Sequence, residues 1–561
     1  MKGEKINVFA LGGLDECGKN MYIIEVGDDI YVVEAGSKYP DKTSPGVDVI
    51  IPNYDFLLEN KDRIRGVFIS HGHLDQLGAL AYIYKNHQLD APIYATSVTM
   101  AFIKRHAKDV GIQNDYHFIE VNNEHDYFKI GSHMVKFFQT AHLIAGSYGF
   151  ALETEQGSIV YTSEFIVEYN NHPKYRLDMN EIARISEKDV LLLMCESRYA
   201  DRPGYTSPSH RLTPLVQKDF SDAKGRIFFA LYDSNLYGLN EVVKLSLDAN
   251  KKMLFYGKKS QEILETLNSV GELMIPKNNL FTMDDLFRVR EQDIVIIILG
   301  DRDTLYRQVE LLAIGESEDK KLIITPSDTF IVAAPPQIGT EVYAVNAIDE
   351  VYKTGAKVIN ITKKKISSMH AQEEDIKTML SLLRPKYYMP VIGEFRHILA
   401  NAKVAVATNQ GYSHLNTFVL DNGMVLTFEN KKVLPITKSI PTGDLLVDGS
   451  GVGDVGDVVL TDRQKLADDG VICMALTVSL KEKRVIAGPD VQMRGFVLVK
   501  DSEALLHDLA DAFVETVEEQ MNVPGGTIEL AKQLTLEKAT RMVRKSTGKD
   551  PMILPLVVEI E

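Results

Sequence analysis

The sequence predicts a multidomain α/β protein in which one α/β unit is inserted into another, and three observations predict it. In the first 200 residues, four short apolar runs each end at a histidine or an acid: Ile64 to Ser70 before His71, Val135 to Thr140 before His142, Ser158 to Thr162 before Glu164, and Asp189 to Met194 before Glu196. Strands hold side chains rigidly, and converging strand ends are where sheets build sites. From about residue 210 the pattern changes to alternating strands and helices, the mark of a second α/β unit. Near residue 385 the first style returns, with Lys386 to Val391 running into Gly393.

Taken in order, Ile6 to Ala10 reads as a strand running into Gly12 and Gly13, and Met21 to Val26 with Ile30 to Ala35 reads as a hairpin across Gly27-Asp28-Asp29. Leu77 to His87 has helical spacing. In the second unit, Arg226 to Leu231, Met253 to Tyr256, Ile294 to Leu299, Lys321 to Thr325 and Lys357 to Ile361 are candidate parallel strands, with helices at Leu305 to Ile314 and Thr340 to Gly355. The Gly- and Asp-rich stretch 447–457 reads as a linker. Beyond it, Gly470 to Leu480, Phe496 to Val499 and Met552 to Ile560 read as strands, and Ser502 to Met521 and Ile528 to Lys545 as helices. The boundaries expected are 1–209, 210–365, 366–446, 447–464 and 465–561, the first and third being two parts of one domain.

Composition excludes several classes. No apolar run reaches the roughly 18 residues of a membrane-spanning helix, and Met1 to Ala10 lacks the pattern of a secretion signal. The three cysteines, Cys17, Cys195 and Cys473, are far apart and fit a reducing cytoplasm. A formal net charge of −16 excludes binding nucleic acid over a broad basic surface. Lys363, Lys364 and Lys365 are a local basic patch or a solvated strand edge.

The chemistry concentrates in His71-Gly72-His73-Leu74-Asp75-Gln76. Two histidines two apart and an acid two further on, directly after a buried strand, are metal-ligand spacing. His142 and Glu164, at later strand ends, add to the set.

These residues resemble the H-x-H-x-D-H loop, later His and later Asp of the metallo-β-lactamase fold. The order His71, His73, Asp75, His142, Glu164, Glu196, His370 is similar to its nucleic-acid-processing branch with an inserted β-CASP domain. Gly12-Gly13 through Gly18-Lys19-Asn20-Met21, the stretch Val447 to Gly456, Arg494-Gly495-Phe496-Val497 and Pro551-Met552-Ile553-Leu554-Pro555 resemble ribonuclease J across essentially the whole chain. The resemblance implies an αββα metallo-β-lactamase sandwich, an inserted α/β β-CASP domain and a small α+β C-terminal assembly domain. It implies two metal ions, zinc or manganese, around a phosphodiester. His71, His73 and His142 match the ligands of one ion, Asp75 those of the other, and Glu164 stands where the family has a bridging Asp. Gln76 and Ile392 stand where the family has histidines. A neutral amide is a poor substitute for imidazole and isoleucine cannot ligate.

Ser368-Met369-His370-Ala371 resembles the family's S-G-H-A phosphate turn, which implies substrate-binding roles for Ser368, Met369 and His370 and catalytic roles for Asp75 and His370. Methionine in place of glycine would be strained if that position needs positive φ. The bland alternative is a helix N-cap at Ser368 before Glu373 and Glu374, with His370 on the surface. Leu299-Gly300-Asp301-Arg302-Asp303-Thr304 stands where relatives carry a phosphate-friendly turn, and its acids disfavour phosphate. Glu196 is either part of the family's acidic motif or a satisfied strand-end carboxylate.

The expectation is a ribonuclease J-type protein of RNA maturation and decay, resembling the second, catalytically weakened type. It would bind at most one tight zinc per chain and partner a first-type paralogue, as a homodimer or heterotetramer. A fully active 5′–3′ exo- and endoribonuclease is the alternative, and a small-molecule metallo-hydrolase the third. The helix at Ser502 to Met521 carries a stripe of Leu505, Leu509, Phe513 and Val517 that packs internally or against a partner.

Overall fold

The computed structural model describes residues 4–40, 44–122, 126–167, 173–206, 211–363, 365, 369–453, 456–496 and 503–561. The described residues form two compact units, residues 4–38 with 50–445 and residues 39–49 with 446–561.

The larger unit is built on two stacked sheets and a third. The eight-stranded sheet runs in the order Lys432–Val433, Leu426–Glu429, Ile6–Gly12, Met21–Val26, Asp29–Val33, Ile64–Phe68, Ile93–Ala95, Phe118–Glu120. The six-stranded sheet runs Tyr387–Val391, Val190–Glu196, Gly157–Tyr161, Tyr148–Thr154, His133–Gln139, Tyr127–Ile130. Their inner faces share one core, in which Val8, Tyr22, Tyr31 and Phe68 meet Phe137, Phe150, Tyr161 and Met389. Phe68 stacks edge-on against Phe137 and Phe150, with ring centroids 5.5 and 5.1 Å apart. Helices Met179–Ile185, Glu373–Leu383 and Phe395–Ala407 close the outer face of the six-stranded sheet over Phe138, Val160, Leu193 and Tyr388.

The inserted unit is an all-parallel sheet in the order Lys252–Tyr256, Ile294–Gly300, Ile227–Tyr232, Thr329–Val332, Lys357–Asn360. Its central strands are apolar on both faces because helices cover both. Leu212–Asp222, Leu236–Asp248 and Lys258–Ser269 cover one face and Arg302–Ala313 with Glu341–Lys353 the other. The fourth strand is not the expected Lys321–Thr325. Asp328 accepts from Arg226 and from the Thr325 backbone, which fixes 325–328 as a turn and starts the strand at Thr329. The expected single helix at Leu77–His87 is broken into Leu74–Leu77, Leu80–Ile83 and a 3₁₀ turn, with Asn86 at positive φ.

In the smaller unit, a sheet ordered Arg484–Arg494, Val471–Ser479, Met552–Ile560 lies under helices Glu503–Asn522 and Ile528–Thr547. The second strand, Arg484–Arg494, is one the sequence reading missed, and most of the expected Phe496–Val499 lies outside the described residues. The Leu505, Leu509, Phe513, Val517 stripe is consumed internally, against Ile472, Met474, Val543 and Ile553. By contrast Leu554, Leu556, Val558 and Ile560 of the last strand, on the sheet's other face, are exposed.

Candidate metal centre

The loop after Ile64–Phe68 is strapped in place by backbone bonds. Asn20 donates to the Asp75 carbonyl, Ala35 to that of Gln76 and Ser37 to that of Leu74, at 3.2, 2.7 and 2.9 Å. Gly36 is required here, since a Cβ would sit 1.7 Å from the Asp75 carbonyl oxygen. His142 follows His133–Gln139 and Glu164 follows Gly157–Tyr161, so three strand ends deliver the expected groups to one point.

There, one ligand atom each of His71, His73, His142 and Glu164 lie within 4.8 Å of one another. The His73 Nδ1 is 3.1 Å from His71 Nε2 and 3.3 Å from His142 Nε2. Glu164 Oε2 is 3.3 Å from His71 Nε2 and 3.0 Å from His142 Nε2. The far nitrogen of each ring is also held. His73 Nε2 donates to the Ser234 carbonyl at 3.0 Å, His142 Nδ1 to the Met369 carbonyl at 2.7 Å, and His71 Nδ1 lies 2.9 Å from Ser70 Oγ. Such partners fix the tautomers and turn three lone pairs inward. Burial pushes His71 down to about 4 and His73 down to about 3, so both rings are neutral, as ligation requires. Burial also opposes charge on His142, but Glu164 outweighs it and raises the ring. Burial likewise opposes the Glu164 carboxylate, and His370 and His142 outweigh it, holding the group well below its usual range. Three converging imidazoles and a carboxylate fit one cation.

The other half of the centre is different. Asp75 belongs to neither buried cluster of candidate ligands. Its Oδ2 lies 3.4 Å from Arg198 Nη1, and the same nitrogen is 3.7 Å from Glu164 Oε1. Burial opposes the Arg198 charge, but Asp75 and Glu164 outweigh it and raise its pKa. Gln76 is fully buried, and neither its Oε1 nor its Nε2 has a hydrogen-bond partner among the described residues. Ile392 packs into the sandwich core. It does so at φ 57°, a conformation that a β-branched residue adopts only under constraint. These side chains do not fit a second ion.

Glu196, Glu164 and His370 form the other buried cluster. Glu196 Oε1 accepts from the backbones of Phe165 and Ala371 at 2.7 and 2.9 Å, and Oε2 is 2.9 Å from His370 Nδ1. Glu196 is thus tied to two backbone amides and to His370, whose ring it positions. Burial, helped by Arg198 and His142 and opposed by Glu164, pushes that ring down to about 3. His370 is buried, with the Tyr199 ring 5.1 Å away, and is not the surface group of the N-cap alternative. The helix there is capped by Gln372, not Ser368, and Ser368 lies outside the described residues. The Met369 side chain is buried in the outer core. What it offers the centre is the carbonyl that orients His142.

Asp301 caps helix Arg302–Ala313 and Asp303 pairs with Arg307, so both acids have local partners. Lys363 and Lys365 are exposed in a turn, and Lys364 lies outside the described residues. Sequence reasoning missed Ser70, Ser234 and Arg198. Only Arg198 had a signal, a cation two places after Glu196 in an otherwise acidic strand end.

Comparison with known proteins agrees with this architecture. Residues 14–256 match the metallo-β-lactamase superfamily, 224–351 the β-CASP domain of ribonuclease J, and 458–560 the ribonuclease J C-terminal domain. The chain is 32% identical over 560 residues to proteins called Ribonuclease J 2 from Staphylococcus epidermidis RP62A and Staphylococcus aureus NCTC 8325, covering 100% of this chain and 99% of theirs. A crystal structure described as a protein of unknown function from Enterococcus faecalis V583 shares the fold, with a TM-score of 0.52 at 14% identity over 76% of this chain and 100% of that one. The chain belongs to the ribonuclease J family of metal-binding nucleases that act on RNA.

Proposed function

We propose that this chain is a weakened ribonuclease J that binds one tight ion per chain, zinc or manganese, and serves mainly as partner subunit of an active paralogue in the cytoplasm. The observation that carries the reading is the asymmetry of the centre. His71, His73 and His142 converge with their outer nitrogens held, while Asp75 faces Arg198 and the two remaining family ligand positions hold Gln76 and Ile392. A bound cation supplies Lewis acidity toward a phosphoryl oxygen, and losing one of two removes several kcal/mol of barrier lowering. The residues that remain do the rest: Glu196 fixes His370 through Nδ1, and Arg198 offers a fork of donors to a phosphate. The domain division expected from the sequence, 1–209, 210–365, 366–446 and 465–561, fits this reading, with assembly assigned to the last. The exposed row Leu554, Leu556, Val558 and Ile560 supports that assignment.

The test is metal analysis beside degradation of a 5′-monophosphorylated RNA, with the chain alone and mixed with an intact paralogue. About one ion and slow decay alone, with a mixed complex formed, are expected. A rate equal to the paralogue's would favour the fully active alternative. Leu556→Lys with Val558→Lys should reduce co-purification with the paralogue, and unchanged co-purification would move assembly elsewhere.

A further inference from the structure

Glu164 lies between two different cations-in-waiting. Its Oε2 faces the three imidazoles, while its Oε1 lies 3.7 Å from Arg198 Nη1 and 3.7 Å from His370 Nδ1. Glu164 stands where the family has a bridging Asp, and a second carboxylate would serve a second ion. Here Asp75 is that second carboxylate, and Arg198 Nη1 reaches it at 3.4 Å. We propose that the Arg198 guanidinium is this centre's second cation, standing between Asp75 and Glu164 and keeping a second metal ion out.

The arginine is placed by the fold. It sits on the turn leaving Val190–Glu196, and Ser197 on one side donates from its backbone to the Ile392 carbonyl at 3.2 Å and from Oγ to the Val391 carbonyl at 2.8 Å. Asn401 donates to the Glu196 carbonyl at 2.7 Å and to Ser197 Oγ at 3.1 Å. The position that would have supplied an imidazole, Ile392, is thus the one that clamps the arginine's turn. A guanidinium keeps its charge at any working pH, so it offsets one of the two carboxylate charges without metal. It has no lone pair and cannot be displaced as a water ligand is. Gln76 and Ile392 add no charge that would favour an ion over it. At 35% side-chain exposure the arginine head stays reachable, so an RNA phosphate can meet a fixed fork of donors where two-ion relatives present a metal.

The inference rests on the one-ion reading above, and the test separates the two. Zinc and manganese per chain are measured after dialysis for the full-length protein, Arg198→Met, Gln76→His with Ile392→His, and all three changes together. The wild-type count tests the one-ion reading; the change on removing Arg198 tests the arginine. We expect one ion with the two histidines alone and two once Arg198 is also replaced. Two ions with Arg198 present, or no gain on replacing it, would overturn the proposal. If the histidine variants do not fold, manganese titration of Arg198→Met against wild type decides. A second class of sites at least ten times tighter than any in wild type is expected, and identical isotherms would reject it.

Discussion

Oε2 of Glu164 looks onto three imidazoles and Oε1 onto a guanidinium and a fourth imidazole, within one buried carboxylate. The two sides differ in what lies behind them. On the imidazole side each ring is backed by a fixed group, and two of the three backings are main-chain carbonyls, Ser234 from the inserted sheet's loop and Met369 from the returning segment. Replacing His142 orphans the buried Met369 carbonyl as well as losing a ligand, which costs about 1–3 kcal/mol beyond the ligand itself. On the arginine side Gln76 has no partner to orphan, and Ile392 has joined the core. A half-site wired into several elements resists change; one made of loosely backed side chains does not.

The strongest way to break this contrast is to delete one imidazole. His142→Ala should weaken metal binding by more than about 100-fold, beyond what losing an outer partner alone costs, and dialysed protein should contain almost no metal. Retention of a full ion would mean that Glu164 and the other cluster hold it. The reverse experiment rebuilds the arginine side. Gln76→His, Glu164→Asp, Ile392→His and Arg198→Met together should raise decay of 5′-monophosphorylated RNA at least tenfold, about 1.4 kcal/mol of barrier. A flat result would place the remaining defect at the Met369 turn or the Asp301–Asp303 loop.

The difference between the halves also explains what was legible in the sequence. His71, His73, His142 and Glu164 announce themselves because each follows an apolar strand, and strands place residues predictably. Their backing atoms were invisible, since Ser234 and Met369 act through carbonyls that every residue type has. Arg198 was missed because nothing local says that a turn at Ser197 will be pinned by Val391, Ile392 and Asn401, 194 to 204 positions away. The same physics misplaced one strand of the inserted sheet. Lys321–Thr325 has strand composition, but the Arg226–Asp328 pair, distant in sequence, decides where the ladder begins.

A layer below the imidazole side lies Glu34, whose Oε2 accepts from the Ser70 backbone at 3.1 Å and whose Oε1 accepts from the Tyr161 hydroxyl at 3.0 Å. Burial pushes its carboxyl up to about 8. The folded chain therefore holds a proton that the unfolded chain releases near its ordinary value of 4.5. Stability from this group is complete below that value and is lost as pH rises through about 8, a change of order a few kcal/mol. Glu34→Gln should flatten denaturation midpoints between pH 5 and 8. An unaltered pH slope would show that Glu34 is ionised in the fold.

The smallest effect expected is at Ile392, where the arginine side pays a visible conformational cost. The residue is 2% exposed at φ 57°, with its amide donating to Tyr22 Oη at 3.2 Å and its carbonyl accepting from Ser197. These bonds hold the backbone in the left-handed region whatever the side chain. A β-branched side chain there costs about 1–3 kcal/mol, against the several kcal/mol its burial contributes. Truncating a buried isoleucine in regular structure, as in Ile398→Ala, costs about 2–5 kcal/mol. Ile392→Gly releases the strain while losing the contacts, so it should cost less than Ile398→Ala despite removing more of the side chain. Histidine tolerates this φ better than isoleucine, so Ile392→His should be milder still. Denaturation midpoints of the three variants give the order, and a loss at Ile392→Gly exceeding that of Ile398→Ala would show that the main chain relaxes and that the position keeps no imprint of a ligand's conformation.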